Sequence, residues 1–217
     1  MTKAIVFDMD GVLFDSEQLY MRLWRQLAIK YHIPNIDDIL YRCLGMTVAH
    51  ERATYLETYG ADFPYDQYVE ELKVDFFGYI EKYGMPLKPG TRELLDYLKN
   101  HHYLIALATS TAKDHVEMEL IGVKLYDYFD IIVTGDMITH SKPAPDIYLK
   151  ACEQLNVDPK DTWAVEDSAN GIRSAYQAQM KVIMVPDLLE PTDELKPMIT
   201  YIGQSLLDVM TYLDNQI

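Results

Sequence analysis

Asp8 and Asp10 stand two residues apart at the end of a short apolar run, Ala4–Phe7, and Asp15 follows closely. Carboxylates crowded in this way repel one another, so the cluster needs a reason. One reason is chemical. An aspartate can attack phosphorus and carry the phosphoryl group as an acyl phosphate. A second carboxyl two residues on can protonate the leaving oxygen and then activate water. Asp8, ending the apolar run, suits the nucleophile, and Asp10 suits the acid/base. Three further sets belong with them. Thr109-Ser110-Thr111 follows the run Leu104–Ala108, Lys142 sits in Ser141-Lys142-Pro143, and Glu166-Asp167 follows Trp163–Val165. Lys142 brings a positive point charge. Thr109, Ser110 or Thr111 can donate to phosphoryl oxygens, and position at the strand end favours Thr109 with the N–H groups after it. Magnesium takes about six oxygen ligands and keeps some as water. Asp8, Asp167 and the backbone carbonyl of Asp10 supply three, and Glu166 a direct or water-mediated fourth. Such an ion also explains why acidic residues would surround a phosphate.

These residues are far apart in sequence, so a fold must gather them. Short apolar runs bounded by polar residues read as buried strands: Ala4–Phe7, Leu104–Ala108, Ile131–Thr134, Trp163–Val165 and Val182–Val185. Residues 92–100, 145–155 and 168–178 have helical spacing, with Pro145 near one start and Ser168 as the N-cap of another. Alternating strands and helices imply a parallel sheet covered on both faces. Its carboxyl edge, where open α/β sheets bind ligands, would collect Asp8, Thr109 and Glu166-Asp167. Residues 16–84 contain no convincing strand and read as four helices, near 16–31, 36–43, 47–59 and 65–83. They end in the helix-breaking stretch Gly84-Met85-Pro86-Leu87-Lys88-Pro89-Gly90. The expected organisation is therefore α/β: a parallel-sheet core of residues 1–15 and 85–217, interrupted by an all-helical domain over 16–84.

Composition narrows the function. The 217 residues are 49% hydrophobic, enough for a core, and the net charge of −15 disfavours nucleic acid and anionic membranes as partners. Cys43 and Cys152 have neither zinc-site nor disulfide-framework spacing, and no apolar stretch at the N-terminus reads as a signal or a span. A cytoplasmic protein, monomeric or weakly self-associating, is the expectation.

The stretch Asp8-Met9-Asp10-Gly11-Val12-Leu13-Phe14-Asp15-Ser16 resembles the first motif of the haloacid dehalogenase superfamily. Thr109 fits its second motif and Lys142, in Ser-Lys-Pro-Ala-Pro-Asp, its third. Glu166-Asp167-Ser168 with Gly171 fits the fourth. The likeness spans the whole chain, and the wording of the motifs is similar to the β-phosphoglucomutase-like branch. It implies a Rossmann-like core, a helical cap, Mg²⁺ and phosphoryl transfer. The second aspartate of the D-x-D pair fits phosphotransfer members, since dehalogenases lack it. True β-phosphoglucomutases carry a His where Tyr20 stands and a cap Arg that grips a second phosphate. After Leu44-Gly45-Met46-Thr47 the matching position here is Val48, and Arg52 is displaced by one helical turn. These departures favour a Mg²⁺-dependent phosphatase of a small phosphorylated metabolite, such as a sugar phosphate, over a sugar phosphomutase. A non-enzymatic phospho-acceptor ranks third, because the D-x-D pair and the inserted helices argue against it. Tyr20, Arg52 and Lys73 are candidate substrate contacts in the cap; Trp24 and the other tyrosines read as packing.

Overall fold

A computed structural model describes residues 3–44, 46 and 48–216. Gly45 and Thr47, which entered the cap comparison above, and the Val48 side chain lie outside the described residues. In chain order, β1 (Ala4–Phe7) leads into four helices: α1 (Ser16–Tyr31), α2 (Ile36–Cys43), α3 (Val48–Tyr59) and α4 (Tyr65–Tyr83). Then come α5 (Thr91–Asn100), β2 (Leu104–Ala108), α6 (Lys113–Gly122), β3 (Ile131–Val133), α7 (Asp146–Leu155) and β4 (Trp163–Glu166). The chain finishes with α8 (Ala169–Gln177), β5 (Lys181–Met184), β6 (Tyr201–Ile202) and α9 (Leu206–Asp214).

The strands form one parallel sheet in the order β3-β2-β1-β4-β5-β6. Every residue of β1 is buried, as a central strand covered on both faces requires. Phe7 is in register with Leu107 on one side and Val165 on the other. The carboxyl ends of β1, β2 and β4 therefore finish side by side, and Asp8, Thr109 and Glu166 arrive at one edge. This is the α/β architecture expected from the alternation of runs. It differs in detail: Glu166 is the last residue of β4 rather than the first of a loop, and β6, α6 and α9 are additional elements.

The chain divides into two compact units, one of Met1–Asp15 with Pro86–Ile217 and one of Ser16–Met85. In the first, the passage out of and back into the sheet is stitched by backbone bonds. Asp15 N–H donates to Pro86 O at 2.8 Å and Lys88 N–H to Leu13 O at 2.9 Å. The regular elements among the second unit's described residues are all helices, and they pack around aromatic rings. Trp24, fully buried, stacks on Tyr55 with centroids 4.9 Å apart, and Tyr59 on Phe63 at 4.7 Å. No helix among the described residues is long and apolar enough to cross a membrane.

Candidate active site

The segment after β1 turns tightly. Leu13 and Phe14 N–H both donate to Met9 O, and Gly11 N–H donates to Phe14 O at 3.0 Å. Gly11 has φ +76°, which L side chains rarely adopt, and a Cβ there would lie 2.2 Å from Asp167 Oδ2. Glycine thus lets the Asp8–Asp10 turn close against Asp167. Asp8 itself is fixed by its N–H bond to Val165 O, at 3.0 Å.

Lys142 lies at the centre. Its Nζ donates to Asp8 Oδ1 at 2.7 Å, to Glu166 Oε1 at 2.7 Å and to Ala108 O at 3.1 Å. Glu166 is saturated with donors. Its Oε1 also accepts from the Tyr148 hydroxyl at 2.7 Å, and its Oε2 from the N–H of Asp167 and the N–H and hydroxyl of Ser168. Ser168 doubles as the N-cap of α8 by accepting from Gly171 N–H. Gly171 leaves room for this arrangement, since a Cβ on it would overlap the Glu166 carboxylate.

Burial sets the protonation behaviour. It pushes the Asp8 carboxyl up to about 7, with the Lys142 ammonium pulling down and the charges of Glu166 and Asp10 pushing up. For Lys142 burial lowers the pKa, but the attraction of Asp8 and Glu166 outweighs it and the ammonium is held above its ordinary value. Burial and the Glu166 charge raise the Tyr148 hydroxyl, so it remains a donor. Asp167 is pushed well above the usual carboxylate range by burial and by the charges of Glu166, Asp8 and Asp187, and its Oδ1 is buried without a hydrogen-bond partner. A buried acidic oxygen among like charges and without a donor suits a hard cation. Asp8, Glu166 and Asp167 each bring one carboxylate oxygen within 4.8 Å of the others. The residues present therefore fit a divalent ion.

Of the other residues expected here, Thr109 is buried and continues the sheet ladder through its N–H bond to Val133 O, whereas Ser110 is exposed. Asp10 accepts from the Thr111 hydroxyl at 2.9 Å. Asp15 is 3.7 Å from Lys88 Nζ, which pairs more closely with Asp187 at 2.6 Å. The helical unit's three candidates are all tied to acids within that unit. Tyr20 donates to Glu51 at 3.0 Å, Arg52 makes a two-pronged pair with Asp66, and Lys73 pairs with Glu70.

Sequence reasoning missed four residues. Tyr148 and Glu119 lie on buried helix stripes, Asp187 follows β5, and Thr111 was weighed only as a phosphate ligand. A hydroxyl or carboxyl inside an otherwise apolar stripe was the available signal, because a buried polar atom needs a partner. Burial first, and then the charge of Asp10, pushes Glu119 up to about 8.

A family model described as haloacid dehalogenase-like hydrolase matches residues 5–185. The phosphorylated carbohydrates phosphatase of Thermotoga maritima is 34% identical over 184 residues, 83% of each chain. Hexitol phosphatase B of Escherichia coli K12 is 31% identical over 188 residues, covering 84% of this chain and 83% of that one. Among solved structures, a putative β-phosphoglucomutase from Thermotoga maritima superposes with a TM-score of 0.84 at 28% identity, over the full length of both chains.

Proposed function

This chain is a member of the haloacid dehalogenase-like hydrolases, and from that membership we propose that it hydrolyses the phosphate monoester of a small metabolite, a sugar phosphate foremost. The observation that carries the reading is the Asp8 carboxylate, buried at the sheet edge and held 2.7 Å from Lys142 Nζ. Relatives that are named phosphatases of phosphorylated carbohydrates and hexitols support the substrate class.

In the first half-reaction an Asp8 oxygen bonds to phosphorus as the ester P–O bond breaks, and Asp10 gives its proton to the departing oxygen. In the second, Asp10 takes a proton from water as the water oxygen bonds to phosphorus. The acyl phosphate bond then breaks, freeing inorganic phosphate and Asp8. Lys142 and the Thr109 hydroxyl, with the Ser110 N–H, hold the phosphoryl oxygens and offset their charge. Lys142 also orients Asp8, and the five donors on Glu166 keep that carboxylate fixed behind it. Asp8, Asp167 and the Asp10 carbonyl, with Glu166 beside them, would hold Mg²⁺, whose chemistry is to neutralise the clustered carboxylates and polarise the phosphoryl group. The two cysteines are unpaired, in keeping with a reducing compartment such as the cytoplasm.

A sugar phosphomutase is the second reading, favoured by the superposition on a putative β-phosphoglucomutase. A mutase must grip a second phosphate, and the engagement of Arg52 and Lys73 with acids counts against it. The deciding experiment is a panel of phosphorylated metabolites with Mg²⁺, followed for both free phosphate and isomerised product. Phosphate release that EDTA abolishes supports hydrolysis; an isomer formed without phosphate release and stimulated by a bisphosphate overturns it.

A further inference from the structure

Thr111 is bonded to two functional groups at once. Its hydroxyl donates to Asp10 Oδ2 at 2.9 Å, the one side-chain hydrogen bond to that carboxylate among the described residues. Its backbone N–H donates to Thr109 Oγ1 at 3.1 Å. A hydroxyl has one proton and two lone pairs, so the Thr109 proton is left to donate elsewhere. The turn that carries Thr111 is itself pinned. Thr111 O accepts from Gly135 N–H at 3.1 Å, and a Cβ on Gly135 would lie 2.2 Å from Ser110 O. From α6, Glu119 is buried, and its Oε2 has no hydrogen-bond partner.

Resting on the phosphoryl-transfer reading above, we propose that Thr111 is a positioning residue, whose hydroxyl fixes the Asp10 carboxyl in the orientation that delivers its proton and whose amide aligns the Thr109 hydroxyl. It acts through these two residues. The chemistry makes the hydroxyl's share separable. A sugar alkoxide is strongly basic and must be protonated as it leaves, so it depends on a well-aimed Asp10. p-Nitrophenolate leaves without that help. The amide's share would touch both substrates alike.

Thr111→Val keeps the β-branched shape and the amide and removes the hydroxyl alone. With the best sugar phosphate of the panel, kcat/KM, which reports the first half-reaction and not the shared hydrolysis of the acyl phosphate, should fall about 10- to 100-fold, and with p-nitrophenyl phosphate by less than about threefold. Thr111→Ser should restore both rates. The ratio of the two rates does not depend on how much of the variant is folded, so a destabilised variant still reports. An equal loss on both substrates, or no loss on either, overturns the assignment. Full activity of Asp8→Asn would instead sink the underlying phosphoryl-transfer reading, which the Thr111 result leaves untouched.

Discussion

In the sheet unit, Lys142 and Glu166 form a 2.7 Å ion pair with side chains only 8% and 0% exposed. In the helical unit, Arg52 and Asp66 pair at 2.8 Å with side chains 47% and 70% exposed. The sheet unit has taken this pair out of water and satisfied it by geometry. The helical unit leaves its ion pairs at the surface and fills its interior with Trp24, Tyr55 and Tyr65. Burying a charge pair is a poor route to stability, since desolvation offsets the attraction. Its presence beside a strand end marks a place where the chain accepts that cost for chemistry. The helical unit shows the same chain leaving an ion pair in water and packing its interior with aromatic rings.

Five substitutions test this contrast. Asp8→Asn removes the nucleophile while keeping its shape, and turnover should fall about 10⁴-fold or more. Its thermal midpoint should hold or rise because one of several crowded carboxylates is neutralised. A midpoint loss matching the activity loss would break the assignment of this charge to chemistry. Lys142→Met strands Asp8 and Glu166, and chemical denaturation should show a loss of roughly 3–5 kcal/mol, against less than about 1 kcal/mol for Arg52→Met. Equal losses would erase the distinction between the units.

Glu119→Gln gives a pH signature. Burial raises the wild-type group to about 8 in the folded chain, above its ordinary value, so the folded state holds a proton that the unfolded state has released. Wild-type stability should therefore decline as pH rises from the ordinary carboxylate range toward 8, and level off above it. Thermal melts of Glu119→Gln should gain over wild type at pH 9 and show little difference at pH 4; parallel curves would refute the burial argument. The smallest effect belongs to the helical unit. The Tyr55 hydroxyl is buried without a hydrogen-bond partner, so Tyr55→Phe should be neutral or stabilise by up to about 1 kcal/mol.

What could be read from the sequence follows the same division. β1 and β2 were legible because a central parallel strand must be apolar on both faces, and Asp8 and Thr109 because they end such runs. The helices of the second unit were legible from their stripes, α1 from Leu19, Leu23 and Leu27. α6 was not, because its buried face carries Glu119 between Val116 and Leu120 and so breaks the apolar spacing. β6 has two residues, Tyr201 and Ile202, too few to show alternation. The role of Tyr148 was hidden for a different reason: an aromatic residue beside Ile147 on a buried stripe looks like packing until Glu166 is seen beneath its hydroxyl. Sequence spacing reports which residues end a strand, and only the tertiary structure reports which polar atom meets which.

The seventy residues of Ser16–Met85 leave and rejoin the sheet through a doorway one hydrogen bond wide, Asp15 N–H to Pro86 O at 2.8 Å. Leu13 O anchors the returning chain a second time, through the Thr91 hydroxyl at 3.0 Å. An inserted module whose two ends are already neighbours can be lengthened, shortened or exchanged with little strain on the strands around it. Such a scaffold can exchange its insert while the strands that carry Asp8, Thr109 and Glu166 stay as they are.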